Sequence, residues 1–143
     1  MKMSVAAVEK TKSLKVQDVM HKEVVSIDGS ATVAEAIRLM RARKVSSLLV
    51  NRRNHDDAWG IVTRKDIVSK VIAPVGSDKD PDKIKVFEIM TKPIIVVSPG
   101  FALKYCARLM AQAGIRRAPV FDGKGIVGII SNTDIFNAMD VGK

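Results

Sequence analysis

The chain of 143 residues contains a single cysteine, Cys106, which excludes an internal disulfide and any multi-thiolate metal site within one chain. Its aromatics are one Trp, one Tyr and four Phe, too few for a platform that stacks bases between basic side chains. No apolar run approaches the ~18 residues that cross a bilayer, so no membrane partner is expected. The start, M-K-M-S-V-A-A-V, meets Glu9 and Lys10 before an apolar stretch long enough for a signal peptide, and the expected location is the cytoplasm. There is no G-x-S-x-G, Walker A or Rossmann glycine pattern, and no His, Cys or acid cluster at metal-ligand spacing. With no nucleophile–base pair or metal centre in view, an enzyme is not expected. His21 and His55 stand alone in polar turns, and Gly123-Lys124-Gly125 reads as a hairpin turn rather than a phosphate loop.

What is present is apolar residue and positive charge. The apolar fraction of 47% is ample for a globular core. Phe87, Phe101, Phe121 and Phe136 all fall at apolar-pattern positions and are expected in it, as is Cys106 on the buried stripe of a helix. The formal net charge of +9 suits nucleic acid, an anionic surface or a small anionic ligand, or is simply a soluble basic surface. Arg38, Arg41, Arg43 and Lys44 read as a solvated helix face, with nucleic-acid phosphate as the sharper alternative.

The chain also says nearly the same thing twice. Residues 16–40, V-Q-D-V-M-H-K-E-V-V-S-I-D-G-S-A-T-V-A-E-A-I-R-L-M, align with residues 86–110, V-F-E-I-M-T-K-P-I-I-V-V-S-P-G-F-A-L-K-Y-C-A-R-L-M. The match resumes at G-I-V-T-R-K-D-I, residues 60–67, against G-I-I-S-N-T-D-I, residues 128–135, with the first copy two residues longer in between. Such a repeat predicts two similar stacked units and two related sites. Each copy alone would be marginal in stability, so the copies are expected to bury their faces against each other. The boundaries read as a lead-in over 1–15, a first motif over 16–72, a linker over 73–85 and a second motif over 86–140. The linker, A-P-V-G-S-D-K-D-P-D-K-I-K, is expected to be exposed and mobile.

Each copy reads as strand–helix–strand–strand–helix. In the first, Val24–Ile27 is a β-type run, and Thr32-Val-Ala-Glu35 is a capping box that opens a helix. Val33, Ala36, Ile37 and Met40 mark that helix's buried face. Strands follow over 45–50 and 58–63, then a helix from Arg64 to about Ile72. In the second, the β-type run is 94–97 and the helix ends at Gly114, a suitable left-handed cap. Its strands are expected over 115–121 and 125–131, and its last helix from Asn132 to about Met139.

Thr63-Arg-Lys-Asp66 and Ser131-Asn-Thr-Asp134 fall where a strand ends and a helix begins. Each is a capping box, in which a hydroxyl accepts an orphan helix N–H and the acid three residues on accepts from the cap. The same groups suit a nucleotide. An ionised carboxylate only accepts hydrogen bonds, which matches the vicinal hydroxyls of a ribose, and a helix start favours phosphate.

This order, the tandem repeat and the paired endings resemble the CBS domain pair, or Bateman module, over about residues 16–140. The resemblance implies an α/β (α+β) fold of tandem CBS motifs, pseudo-twofold related, with a central cleft. It implies binding of an adenine nucleotide, AMP, ADP or ATP, or of S-adenosylmethionine, and a homodimer. It also implies crossed sites. Thr63, Lys65 and Asp66 would work with Gly100, Ile115, Arg116, Arg117 and Pro119 of the other copy. Ser131, Thr133 and Asp134 would work with Ser30, Val45 and Ser46. Where the second copy has I-R-R-A-P-V the first has V-S-S-L-L-V, so unequal sites are expected, the one at Asp66 favouring polyphosphate or binding more tightly. The expected function is a ligand-sensing regulatory module without catalysis, read by an effector protein. The rivals are a nucleic-acid-binding basic module and a purely structural dimerisation domain.

Overall fold

The computed structural model describes residues 13–76 and 79–139. The chain divides into two compact units, and they are not the two sequence copies. One, the inner unit, is Val25–Ile94; the other, the outer unit, is built from both flanks of it, 13–24 with 95–139 among the described residues.

The inner unit holds β1 (Ser26–Ile27), α1 (Val33–Arg43), β2 (Ser47–Val50), β3 (Gly60–Thr63) and α2 (Arg64–Ile67), which runs on as a π-helical turn over Val68–Ile72. A 3-10 turn, Val86–Glu88, completes it. Its sheet has the order β1-β2-β3, with β1 parallel and β3 antiparallel to β2. The outer unit holds a one-turn helix α3 at Val16–Val19, then α4 (Leu103–Ala113), β4 (Arg117–Phe121), β5 (Ile126–Ser131) and α5 (Asn132–Asn137). There β4 and β5 form an antiparallel pair, and the expected strand over 94–97 shrinks to a single parallel bridge, Val97 to Val120.

The units differ from the copies because each copy's opening turn completes the other copy's unit. Val86, fully buried, packs in the core of the inner unit with Val33, Leu48 and Val62. Its N–H donates to the carbonyl of Ala31 at 2.8 Å, and that of Phe87 to Gly29 at 3.0 Å. In the outer unit, Val16 packs with Leu103, Cys106 and Met110, and donates to Phe101 at 2.9 Å, while Gln17 donates to Pro99 at 3.0 Å. The helix starts are capped by the same segments. Val33 donates to Ile84 and Leu103 to Leu14, each at 2.8 Å, which satisfies N–H groups a helix cannot pair internally.

The segment expected to be a mobile linker is therefore held over part of its length. The carbonyls of Pro81 and Ile84 accept from the first turn of α1, and Ile84 packs against the inner core. The aromatic expectation also needs correction. Phe101 packs against the outer core, but Phe87 is 56% exposed and Phe136 76% exposed. Phe87 sits on a 3-10 turn whose neighbour Val86 takes the buried position, and Phe136 on a short last helix with no buried residue. Cys106 is buried, and that burial pushes its thiol pKa up.

The glycine at the head of each G-I-V-T or G-I-I-S motif has a steric reason. A Cβ on Gly128 would stand 2.6 Å from Met20 Sδ and 2.7 Å from the His21 carbonyl. On Gly60 it would meet Met90 Sδ and the Thr91 carbonyl, each at 3.1 Å. The opening segment of the other copy runs against both glycines, through the bridges His21–Ile129 and Thr91–Ile61.

Candidate functional site

Both T/S-x-x-D boxes form, and they form alike. In the inner unit the Thr63 N–H and hydroxyl donate to Oδ2 of Asp66 at 2.9 and 3.0 Å, and the Asp66 N–H donates to Thr63 Oγ1 at 3.1 Å. In the outer unit Ser131 N–H and Oγ donate to Oδ2 of Asp134 at 2.9 and 2.8 Å, and Asp134 N–H returns a bond to Ser131 Oγ at 3.1 Å. The boxes arise because Thr63 and Ser131 keep the extended backbone of their strands while the next residue enters a helix. One oxygen of each carboxylate is thus committed to the cap.

The second oxygen faces a different neighbour in each unit. Oδ1 of Asp66 lies 3.4 Å from Lys70 Nζ, one helical turn along, and that ammonium also donates to the Ile89 carbonyl at 2.9 Å. Oδ1 of Asp134 lies 2.7 Å from His21 Nε2. Sequence reading placed His21 in an isolated polar turn and missed this contact. The available signal was its place directly after Met20, in the opening segment whose copy is Met90-Thr91.

The strand paired with each box's own strand supplies the next layer. Thr63 is in register with Ser47 and Ser131 with Arg117. The Arg64 N–H donates to the Ser46 carbonyl, and the Asn132 N–H to the Arg116 carbonyl, each at 2.9 Å. So each unit gathers its own box and its own strand start. Val45, Ser46, Thr63, Lys65 and Asp66 belong to the inner unit; Ile115, Arg116, Arg117, Ser131, Thr133 and Asp134 belong to the outer one. Lys65, Arg116 and Thr133 are exposed, and Ile115, Arg117 and Val45 half-buried.

Three further expected residues lie away from the box of their own unit. Pro119 is fully buried within β4, and its carbonyl accepts from Val97 at 3.0 Å. Ser30 and Gly100 precede the N-termini of α1 and α4, whereas Val45 and Ile115 follow their C-termini. An 11-residue helix is about 16 Å long, so Ser30 and Gly100 lie at the far ends of their units from the boxes.

Two cavities open on the inner unit, one of them beside its box. One, of about 530 Å³, is lined by Met40, Arg41, Lys44, Val45, Ser46 and Arg64. The other, of about 690 Å³ at the opposite end of the sheet, includes Asp28, Ser30, Asn51, Arg53, Phe87 and Met90. Beside the second, Asp57 ties the longer loop of the first copy in place. Its Oδ2 accepts from Arg53 Nε at 3.0 Å, the Arg53 N–H at 2.9 Å and Lys92 Nζ at 2.7 Å. The Arg53 guanidinium, with Lys92, holds the Asp57 carboxyl well below the usual carboxylate range. Among the described residues no helix is long and apolar enough to cross a membrane.

Known proteins bear on this arrangement. An uncharacterized protein of Methanopyrus kandleri is 30% identical over 125 residues, 87% of this chain and 62% of its own length, so the chain spans under two thirds of that relative. The hexameric CBS-CP12 protein from bloom-forming cyanobacteria is 48% identical with a TM-score of 0.80, covering 89% of this chain and 72% of its own. The CBS domain of a bacterial CNNM/CorC family Mg2+ transporter, in complex with ATP, shares the fold at 20% identity, with a TM-score of 0.78 over 94% of this chain and 93% of its own. The CBS domain profile matches twice, at residues 16–73 and 86–141, the same two stretches that carry the repeat and its boxes. The chain belongs to the CBS domain family, with two copies of the domain in tandem.

Proposed function

We propose that the chain is a regulatory module, without catalysis of its own, that binds an adenine nucleotide through its two T/S-x-x-D boxes. The observation that carries this reading is the division of labour in each carboxylate. Oδ2 of Asp66 and of Asp134 caps its helix, and Oδ1 is turned to a lysine or histidine side chain rather than to backbone. An acceptor held rigid by its other oxygen is suited to a ribose hydroxyl. Thr63 and Ser131 set the carboxylates, Lys65 and Thr133 flank them on the exposed side, and Val45 and Ile115 offer apolar edges at the adjoining strand starts. Arg116 and Arg117 supply charge for phosphate in the outer unit. The ATP complex of a protein with this fold supports a nucleotide as the ligand class. Occupancy would be read by an effector protein or by another copy of the chain; the hexamer formed by the cyanobacterial relative supports self-association.

Calorimetry with AMP, ADP, ATP, S-adenosylmethionine and a short oligonucleotide tests this. Asp66→Asn and Asp134→Asn keep a cap acceptor while removing carboxylate charge. Nucleotide binding should weaken in each and vanish in the double variant. At 100 times its dissociation constant a ligand adds about 2.7 kcal/mol of stability, a shift a melting curve resolves. Tight, steeply salt-dependent oligonucleotide binding that ignores both variants would replace this reading with a nucleic-acid one.

A further inference from the structure

The cavity beside Ser46 is lined by three cations whose equivalents in the outer unit are uncharged. Arg41, Lys44 and Arg64 line it together with the Ser46 side of β2. Their equivalents in the other copy are Ala111, Gly114 and Asn132, none of them charged. The equivalence is structural as well as sequential: Arg64 donates to Ser46 as Asn132 donates to Arg116, each at 2.9 Å. Across that one hydrogen bond the two units have exchanged their cation. The outer unit carries it just before β4, at Arg116, and the inner unit on the helix, at Arg64, with two more added from the end of α1.

Two of the three inner cations sit where local preference is against them. Lys44 adopts φ 56°, ψ 45°, the left-handed region, where the other copy has Gly114 at φ 67°. For a residue with a Cβ this conformation is sterically unfavourable. The attraction of a cation to a helix C-terminus regains only part of that. Arg64 is the first residue of α2, the positive end of a helix, where a cation is disfavoured. Among the described residues none of the three has a carboxylate partner, so their mutual repulsion is not offset within the unit. Departures from local rule that coincide on one cavity mark a functional site.

We propose that this cavity binds the di- or triphosphate group of a ligand, with Arg41, Lys44 and Arg64 supplying charge-assisted hydrogen bonds and the Ser46 hydroxyl a fourth donor. The volume of about 530 Å³ and the exposure of all three cations admit such a group from solvent. The proposal concerns phosphate alone and stands independently of ribose recognition at Asp66. The group is either the tail of a nucleoside triphosphate or free inorganic oligophosphate.

The test uses the full chain and titrates ATP, AMP and inorganic tripolyphosphate against wild type and a variant carrying the other copy's residues, Arg41→Ala, Lys44→Gly and Arg64→Asn. The variant should weaken ATP or tripolyphosphate at least tenfold and leave AMP within twofold. Lys44→Gly alone should weaken oligophosphate binding and raise the melting temperature, a pairing that a folding defect cannot produce. Binding of both oligophosphates by wild type, or of tripolyphosphate alone, with this loss identifies free oligophosphate as sufficient. Binding of ATP alone, with this loss, identifies the nucleotide tail. Unchanged oligophosphate affinity in the triple variant, or no oligophosphate binding by wild type, overturns the proposal. Asp66→Asn separates the two readings, since it should impair nucleotides and leave tripolyphosphate unaffected.

Discussion

His21 Nε2 lies 2.7 Å from Oδ1 of Asp134, the one carboxylate oxygen that the Ser131 cap leaves unused. A ribose hydroxyl bound there must displace the imidazole. The side chain of His21 is 75% exposed, so it can swing away at small cost. An exposed contact of this kind is worth about 0.2–1 kcal/mol. In an Asp66→Asn background, His21→Ala should therefore tighten nucleotide binding at the outer box by roughly 1.5- to 5-fold. Calorimetry measures this directly, and weaker binding would show that His21 assists the ligand instead of competing.

The crossed opening turns predict where damage appears. Val16 opens the first copy yet is buried in the outer unit, and Val86 opens the second copy yet is buried in the inner one. Truncating either to Ala should cost about 2 kcal/mol, or roughly 30-fold in opening. Cys106, the chain's one thiol and buried in the outer unit, reports which unit opens. Val16→Ala should accelerate its labelling by a thiol reagent. Val86→Ala should leave the labelling rate close to wild type under native conditions.

Gly128 and Gly60 should respond unequally to alanine. The 2.7 Å approach to the His21 carbonyl is to backbone, which cannot give way cheaply, whereas at Gly60 both nearest atoms stand at 3.1 Å. Overpacking costs about 1–3 kcal/mol, and Gly128→Ala should fall at the upper end of that range with Gly60→Ala below it. Urea denaturation of the two variants ranks them.

The Asp57 contacts carry a pH signature. Its carboxyl is held below the ordinary carboxylate range by Arg53 and Lys92, so the folded state favours its ionised form. Its contribution is present in full at neutral pH and is lost as pH falls below about 4, toward the depressed folded value. Asp57→Asn should be less stable than wild type at pH 7, and the gap should close on acidification. Denaturant midpoints across that range measure it; a constant gap would show that the contacts act without charge.

Periodicity exposed the helices and most strands. The α1 stripe of Val33, Ala36, Ile37 and Met40 packs inward as its spacing requires, and Gly114 takes the left-handed cap. The boxes were legible because a hydroxyl and an acid three residues apart have one local use at a helix start. Strand ends were less so: β2 and β4 begin two residues later than the apolar runs, since pairing rather than hydropathy decides where a ladder starts. Phe87 and Phe136 misled because an apolar residue on a one-turn or terminal helix has no assured face to bury.

The sequence by itself determined the repeat, its elements and both capping boxes, because these depend on contacts between residues three or four apart and on a period that any reading recovers. Only the tertiary structure decided which segments complete which unit, since Val16 and Val86 are equivalent in pattern and their destinations depend on long-range packing. It likewise brought His21 to Asp134, and gathered Arg41 and Lys44 with Arg64, residues about twenty positions apart. Charge shows in a sequence as an amount. Where it converges is settled by the ends of helices and strands meeting in space.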